Sequence, residues 1–340
     1  MDELNQSNYQ ALYFSGPRQV EWRALPRTTI QPGQVRVRTV CSGISAGTEL
    51  LIYRNEMPGD MAADETLSAL GGQLTYPLKY GYAVVGRVVE LGQDVDRTWL
   101  NQLVFAFNPH ETAFVATTTE LYRVPDGLAP ELAVLLPNVE TALNFLQDGR
   151  PVAGEDVIVI GQGIVGQLTT ALLARMPLNS LVTLDRYPLR RDRSLALGAS
   201  NALDPAHIAA LVPYQAQADL CYELSGAPAA LNTAITLTGF GGRVIIGSWY
   251  GTKTAPIDLG GRFHRSRIQL ISSQVSTLSP HLQTRWSKAR RMTFALDLLQ
   301  QLPLSTLITH RIPFSQAATA YQLLDRQPEQ CLQIVLMYES

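Results

Sequence analysis

The chain has 340 residues, 46% hydrophobic and 16% charged, with a net charge of −2 and a pI of about 6.2. That length exceeds what one hydrophobic core usually serves, so two domains are expected, and the apolar content excludes a disordered chain. A near-neutral balance without a dense Lys/Arg run argues against nucleic acid and against an anionic membrane surface, leaving a small molecule as the expected partner. Cys41, Cys221 and Cys331 are scattered and odd in number, which offers no disulfide framework and suits a reducing compartment. Met1-Asp2-Glu3 opens without the basic and apolar regions of a signal peptide, so a cytoplasmic location is expected.

The first third reads as short strands. Ala11 to Phe14, Gln19 to Trp22 and Val35 to Val40 are β-like, punctuated by Pro17, Pro26 and Pro32-Gly33. Alternation in VRVRTV predicts valines on one face and arginines on the other. Tyr76 to Leu91 has strand character throughout, Leu103 to Phe107 and Thr112 to Val115 add more, and an antiparallel barrel or sandwich is expected. Pro58 to Leu74 reads as a long loop or lid carrying a short helix. From Pro130 the pattern changes. A helix over Glu131 to Leu146 is followed by strands at Asp156 to Ile160, Leu181 to Asp185, ADLCYEL, RVIIG and RIQLISS, separated by helices at Ile164 to Arg175, Pro188 to Leu197 and Pro228 to Leu237. Such alternation predicts an α/β doubly wound parallel sheet. A helix from Arg285 to Gln301, the strand Ile308 to Pro313, a helix over Ser315 to Leu324 and the strand CLQIVLMY lead back to the first domain. The expected domains are therefore 1–135 with 302–340, and 136–301.

The stretch VIVIGQGIVGQL, Val157 to Leu168, carries the strongest motif. Gly161, Gly163 and Gly166 stand at G-x-G-x-x-G spacing between a buried strand and a helix, with Ile164 and Val165 opening that helix. Gly161 suits a tight turn, Gly163 lets backbone approach a pyrophosphate, and Gly166 lets the helix lie close to the strand. Asp185 ends the next strand near the ~20-residue offset at which a carboxylate meets the ribose 2′-hydroxyl and repels a 2′-phosphate. NAD(H) is therefore the favoured cofactor. Arg186, Arg190 and Arg191 follow closely, so NADP(H) stays open as the alternative. Ser225 and Gly247 follow the ends of two later strands, where loops touch ribose and nicotinamide. The uncharged run from Val157 to Ala174 has the length of a membrane span, but its glycines, glutamines and threonines favour strand-turn-helix.

Nearly the whole chain resembles the medium-chain dehydrogenase/reductase superfamily, through SGISAGTE (Ser42 to Glu49), GYAVVGRVVELG (Gly81 to Gly92), the glycine loop and THRIPFSQAATAYQLL. The resemblance implies a GroES-like β-rich catalytic domain interrupted by a Rossmann domain, a cytoplasmic enzyme and a homodimer. SGISAGTE, Met57-Pro58 and YPLKYGY look most like the branch containing bacteriochlorophyllide dehydrogenase, although the segment between Met57 and Tyr76 is longer here. Zinc-dependent members have a thiolate where this chain has Ser45 or Ala46, and a histidine where it has Tyr82. Their third ligand falls near Asn138, with Glu140 close by. No cysteine-rich lobe is present, and the expectation is no zinc.

Without a Lewis acid, hydrogen-bond donors must serve the substrate oxygen. Tyr82 is the first candidate, against the alternative of a tyrosine packed in the barrel. Thr48 stands where the family uses a hydroxyl at the substrate oxygen. Ser45 is weighed against simple backbone satisfaction, and Asn138 against a helix-start role. Glu49 is assigned a structural role, His310 a place at a strand end, Cys41 and Cys221 the role of inert fillers, and RWSKARR (Arg285 to Arg291) that of a solvated helix face. The leading expectation is a zinc-independent, NAD(P)-dependent alcohol dehydrogenase-like oxidoreductase acting on a secondary alcohol or ketone, with a bulky, partly apolar substrate. The alternatives are reduction of a quinone or enone, and a non-catalytic dinucleotide-binding sensor or scaffold.

Overall fold

A computed structural model describes residues 9–58, 71 and 73–339; most of the loop expected at Pro58 to Leu74 lies outside the described residues. The chain divides into two compact units, Met1–Leu136 with Ile308–Ser340, and Pro137–Leu307. The second crossover thus falls at 307/308 rather than 301/302.

The first unit contains β1 (Tyr9–Gly16), β2 (Gln19–Leu25), β3 (Gln34–Gly43), α1 (Glu49–Arg54), β4 (Leu78–Lys79), β5 (Val84–Leu91), β6 (Leu103–Ala106), β7 (Ala113–Thr117), β8 (Leu121–Arg123) and α2 (Pro130–Ala133). Tyr76 to Leu91 is therefore two strands, not one. Tyr80-Gly81-Tyr82-Ala83 interrupts it, and Gly81 adopts φ +108, which breaks the ladder.

In β3 the prediction of outward arginines holds for Arg38 and fails for Arg36, which is 4% exposed. Its guanidinium lies over the Tyr9 ring and binds Glu90 at 2.9 Å and the Thr28 carbonyl at 2.8 Å. A register irregularity between Arg36 and Val37 breaks simple alternation there.

The second unit runs α3 (Leu136–Gly149), β9 (Asp156–Ile160), α4 (Ile164–Leu173), β10 (Ser180–Leu184), α5 (Pro188–Ala196), β11 (Asn201–Leu203), α6 (Ile208–Leu211), β12 (Ala218–Glu223), α7 (Ala230–Leu237), β13 (Thr238–Ile246), β14 (Gln269–Ser272) and α8 (Lys288–Gln301). The helix expected over Glu131 to Leu146 is thus α2 and α3, with a break before Leu136. Its strands form one parallel sheet in the order β11-β10-β9-β12-β13-β14. This is the doubly wound Rossmann order. Val157 and Val159 face one core cluster and Ile158 and Ile160 the other, so β9 is buried on both sides. The uncharged run is β9 and α4, and no helix among the described residues is long and apolar enough to cross a membrane.

The chain then returns to the first unit with β15 (Ile308–Pro313), α9 (Ala317–Arg326) and β16 (Gln333–Met337). Among the described residues this unit has a small antiparallel sheet, β2-β1-β4, and a larger one, β15-β16-β3-β5-β6-β8, with β7 paired to β3. Leu12, Phe14, Ile52, Tyr321 and Ile334 belong to one of its cores.

All three cysteines are buried, and desolvation pushes the Cys41 and Cys221 thiols up to about 12. Because the thiolate is the reactive form, an aromatic disulfide reagent at pH 8 should find no fast-reacting thiol in the native protein. All three should react after denaturation. Rapid native reaction of even one thiol would contradict this packing.

Candidate active site

The glycine loop shows why two of its three glycines are needed. A Cβ on Gly161, whose φ is +92, would lie 2.5 Å from the Ser225 Cα, and one on Gly166 would lie 2.0 Å from the Gly161 carbonyl oxygen. Around Gly163 nothing comes nearer than Arg190 Nη1 at 4.0 Å. Two glycines are therefore crowded by backbone and the middle one faces space. Gly163 is the N-cap of α4 and no side chain caps that helix, so its first turn is suited to an anion. Ile164 is buried and Val165 half-buried.

Asp185, 7% exposed, follows β10, and its carboxylate accepts N–H bonds from Gln162 (2.8 Å) and Tyr187 (2.9 Å). It thereby holds the glycine loop. The arginines after it divide their work. Arg186 and Arg190 lie over the Tyr187 ring at 4.6 and 4.8 Å, with Arg190 Nη1 3.8 Å from the Asp185 carboxylate. Arg191 donates to the Asp185 carbonyl and pairs with Asp204.

At the carboxyl ends of β12 and β13, Ser225 and Gly247 converge on Glu223, which the sequence reading did not single out. Fully buried Glu223 accepts the Ser225 N–H (2.8 Å), the Ser225 hydroxyl and the Tyr250 hydroxyl (2.5 Å), while its own carbonyl accepts the Gly247 N–H (3.0 Å). Burial, with the Glu223 carboxylate beside it, pushes the Tyr250 phenol well above its usual range, so that it stays a donor. An acidic residue ending an apolar strand was the signal available.

In the first unit, Tyr82, Ser45 and Thr48 come together. The Tyr82 hydroxyl donates to Ser45 Oγ at 2.5 Å and lies 3.4 Å from Thr48 Oγ1. All three side chains belong to half-buried residues. Thr48 is the N-cap of α1 but makes no side-chain cap bond, which leaves its hydroxyl beside Tyr82.

Glu49 is fully buried, accepts the Ser45 N–H at 2.7 Å, and receives the Tyr321 hydroxyl on its other oxygen. His110, also fully buried, places Nε2 3.1 Å from Glu49 and Nδ1 2.7 Å from Ser42 Oγ. The sequence reading passed over His110 because Asn108-Pro109-His110 sits in a loop without a recognisable motif. His310 is half-buried, with Nδ1 3.0 Å from Thr309 Oγ1.

Asn138 stands in the first turn of α3, in the second unit, and is 8% exposed. Two residues on, Glu140 is held by Arg291, whose Nε and Nη2 donate at 3.0 and 2.9 Å; Arg291 Nη1 donates to Asn144 at 2.5 Å and its Nη2 also meets the Val275 carbonyl. Arg291 is fully buried, so the reading of RWSKARR as a solvated face is wrong at this residue. The helix begins at Lys288 with Ser287 as its N-cap, and Arg291 lies on the same stripe as buried Ala295 and Leu298. The matching signal was Glu140 and Asn144, four apart on α3. Desolvation raises the Glu140 carboxyl and Arg291 opposes that rise.

Of the residues that the family resemblance sets at zinc-ligand positions, Ser45 and Tyr82 bring hydroxyls, Asn138 an amide, and nearby Glu140 a carboxylate already paired with Arg291. Among the described residues no three His, Cys, Asp or Glu side chains converge as a metal site.

No family model matches the chain. It is 27% identical over 344 residues to the 2-desacetyl-2-hydroxyethyl bacteriochlorophyllide A dehydrogenase of Rhodobacter capsulatus, covering 97% of this chain and 98% of the relative. It is 24% identical over 326 residues to the D-guloside 3-dehydrogenase of Escherichia coli K12, covering 90% and 93%. Its fold superposes on an alcohol dehydrogenase of Escherichia coli CFT073 complexed with NADH, with a TM-score of 0.78, 17% identity and coverage of 97% and 100%.

Breaking a buried ion pair strands a charge and costs about 3–5 kcal/mol. Arg291→Met should therefore lower the unfolding midpoint markedly in calorimetry, and adding Glu140→Leu should recover much of the loss. Equal stability of Arg291→Met and wild type would show that the pair does not hold α3 to α8.

Proposed function

For a chain that belongs to the medium-chain dehydrogenase/reductase superfamily and is an oxidoreductase, we propose zinc-independent interconversion of a secondary alcohol and a ketone with NAD(H). The observation that carries this reading is the meeting of the Tyr82, Ser45 and Thr48 hydroxyls, the family resemblance setting Tyr82 and either Ser45 or Ala46 at zinc-ligand positions. The residues around the glycine loop fit a dinucleotide, because space opens at Gly163 where a pyrophosphate needs close backbone approach and the uncapped start of α4 favours an anion. A bound nicotinamide supplies the donor or acceptor of the hydride.

The chain's own groups handle the oxygen. An ordinary phenol is protonated at neutral pH, so Tyr82 gives its proton to the oxygen of a ketone as charge develops there. Ser45 Oγ, which accepts from the Tyr82 hydroxyl at 2.5 Å, can rotate its own hydroxyl to hydrogen-bond the phenolate once the proton has left, and the phenolate regains its proton from solvent water. Thr48 offers a second hydroxyl to the same oxygen. Zinc independence is supported by the chemistry of the donor set: neutral hydroxyls are poor zinc ligands, and Glu140 is committed to Arg291. NAD(H) preference is supported by the Asp185 carboxylate, although Arg186 and Arg190 lie close enough to soften the discrimination.

Tyr82→Phe should lower kcat for a ketone by on the order of a hundredfold while leaving NADH affinity unchanged, as expected for loss of a general acid. Retained turnover would favour the second reading, reduction of a conjugated enone or quinone, in which hydride reaches carbon. Asp185→Asn should weaken NADH and shift the NADPH/NADH affinity ratio by about tenfold toward NADPH, read by fluorescence titration; an unmoved ratio would remove Asp185 from cofactor choice. Activity should survive exhaustive chelation. One zinc per chain, lost together with activity, would overturn the metal-free reading.

A further inference from the structure

We infer that His110 is a positioning residue that holds Tyr82 and Ser45 in register from behind. The inference rests on the reading of Tyr82 as the group at the reacting oxygen. His110 reaches the hydroxyl pair by two routes. Through Nε2 it holds Glu49, and the other oxygen of Glu49 takes the Ser45 N–H. Through its ring edge it packs on Gly81, where a Cβ would lie 2.6 Å from both Cδ2 and Nε2, so the imidazole occupies the space of a missing side chain next to Tyr82. One ring therefore sets the backbone of the donor and of its acceptor.

The ring itself is oriented. A carboxylate at Glu49 only accepts, so Nε2 carries a proton toward it, and in neutral imidazole Nδ1 then accepts from the Ser42 hydroxyl. Ser42 Oγ is 3.0 Å from the Tyr338 hydroxyl, which burial keeps protonated and able to donate. Tyr321, also kept protonated by burial and by Glu49, donates to the same Glu49 oxygen that His110 meets. Each group in the chain Tyr338, Ser42, His110, Glu49 thus has one consistent direction. Ser42, His110 and Glu49 are fully buried and Tyr338 is half-buried.

A merely structural histidine would lower stability and leave the Tyr82 environment alone. The test uses the full chain labelled with ¹³Cζ-tyrosine, the Tyr82 resonance being assigned by its loss in Tyr82→Phe. His110→Ala should move that resonance and lower kcat by on the order of tenfold to a hundredfold, with KM for the cofactor unchanged. In the Tyr82→Phe background it should cost no further turnover. His110→Gln, whose amide can still donate to Glu49, should recover part of both effects. If His110→Ala does not fold, Ser42→Ala removes one partner of the ring at smaller cost and should move the same resonance less far. An unmoved Tyr82 resonance in folded His110→Ala, or in Ser42→Ala where His110→Ala does not fold, overturns the inference. A moved resonance with wild-type turnover in Tyr82→Phe instead overturns the role of Tyr82 and leaves the positioning by His110 standing.

Discussion

A buried carboxylate must find donors. In this chain Glu49, Asp185 and Glu223 find them in the backbone of the loops that carry the site. Glu49 takes the Ser45 N–H, Asp185 those of Gln162 and Tyr187, and Glu223 that of Ser225. Each is 7% exposed or less. A loop held this way needs no regular secondary structure to be rigid, because moving it would strand a charge at a cost of several kcal/mol. The same device recurs in both units.

The commitment of these carboxylates also limits the chemistry. Glu49 stands beside Thr48 in sequence yet faces inward to His110 and Tyr321, so it supports the hydroxyl cluster rather than joining it. Glu140 lies in the turn that begins with Asn138, and Arg291 holds it. In the proposed site, the groups that would face a substrate oxygen are the neutral hydroxyls of Tyr82, Ser45 and Thr48. Such a set donates protons and hydrogen bonds well and binds divalent metal poorly.

The glycine loop illustrates what short-range pattern can carry. Gly161 and Gly166 are required by contacts within a few residues or across adjacent parallel strands, so their spacing is visible in the sequence itself. Arg36, His110 and Arg291 show the opposite case. Arg36 alternates with valines as an exposed residue should, and is buried because Tyr9 and Glu90 cover it. Arg291 sits in a run of cations, and only Glu140 and Asn144, from a distant part of the chain, make its burial tolerable.

The sequence by itself determined the two-part organisation, the parallel sheet and its glycine-rich turn. These follow from hydrophobic period and glycine spacing, both of them local; that Tyr82 and Ser45 or Ala46 stand at zinc-ligand positions came only through the family resemblance. Only the tertiary structure decided that Tyr82 meets Ser45, that Glu49 and His110 stand behind them, that Asp185 also ties down the loop, and that Arg291 is a core residue. Each of those depends on a polar group finding a partner far along the chain. The energy of burying such a group depends on that partner, and no local pattern encodes it.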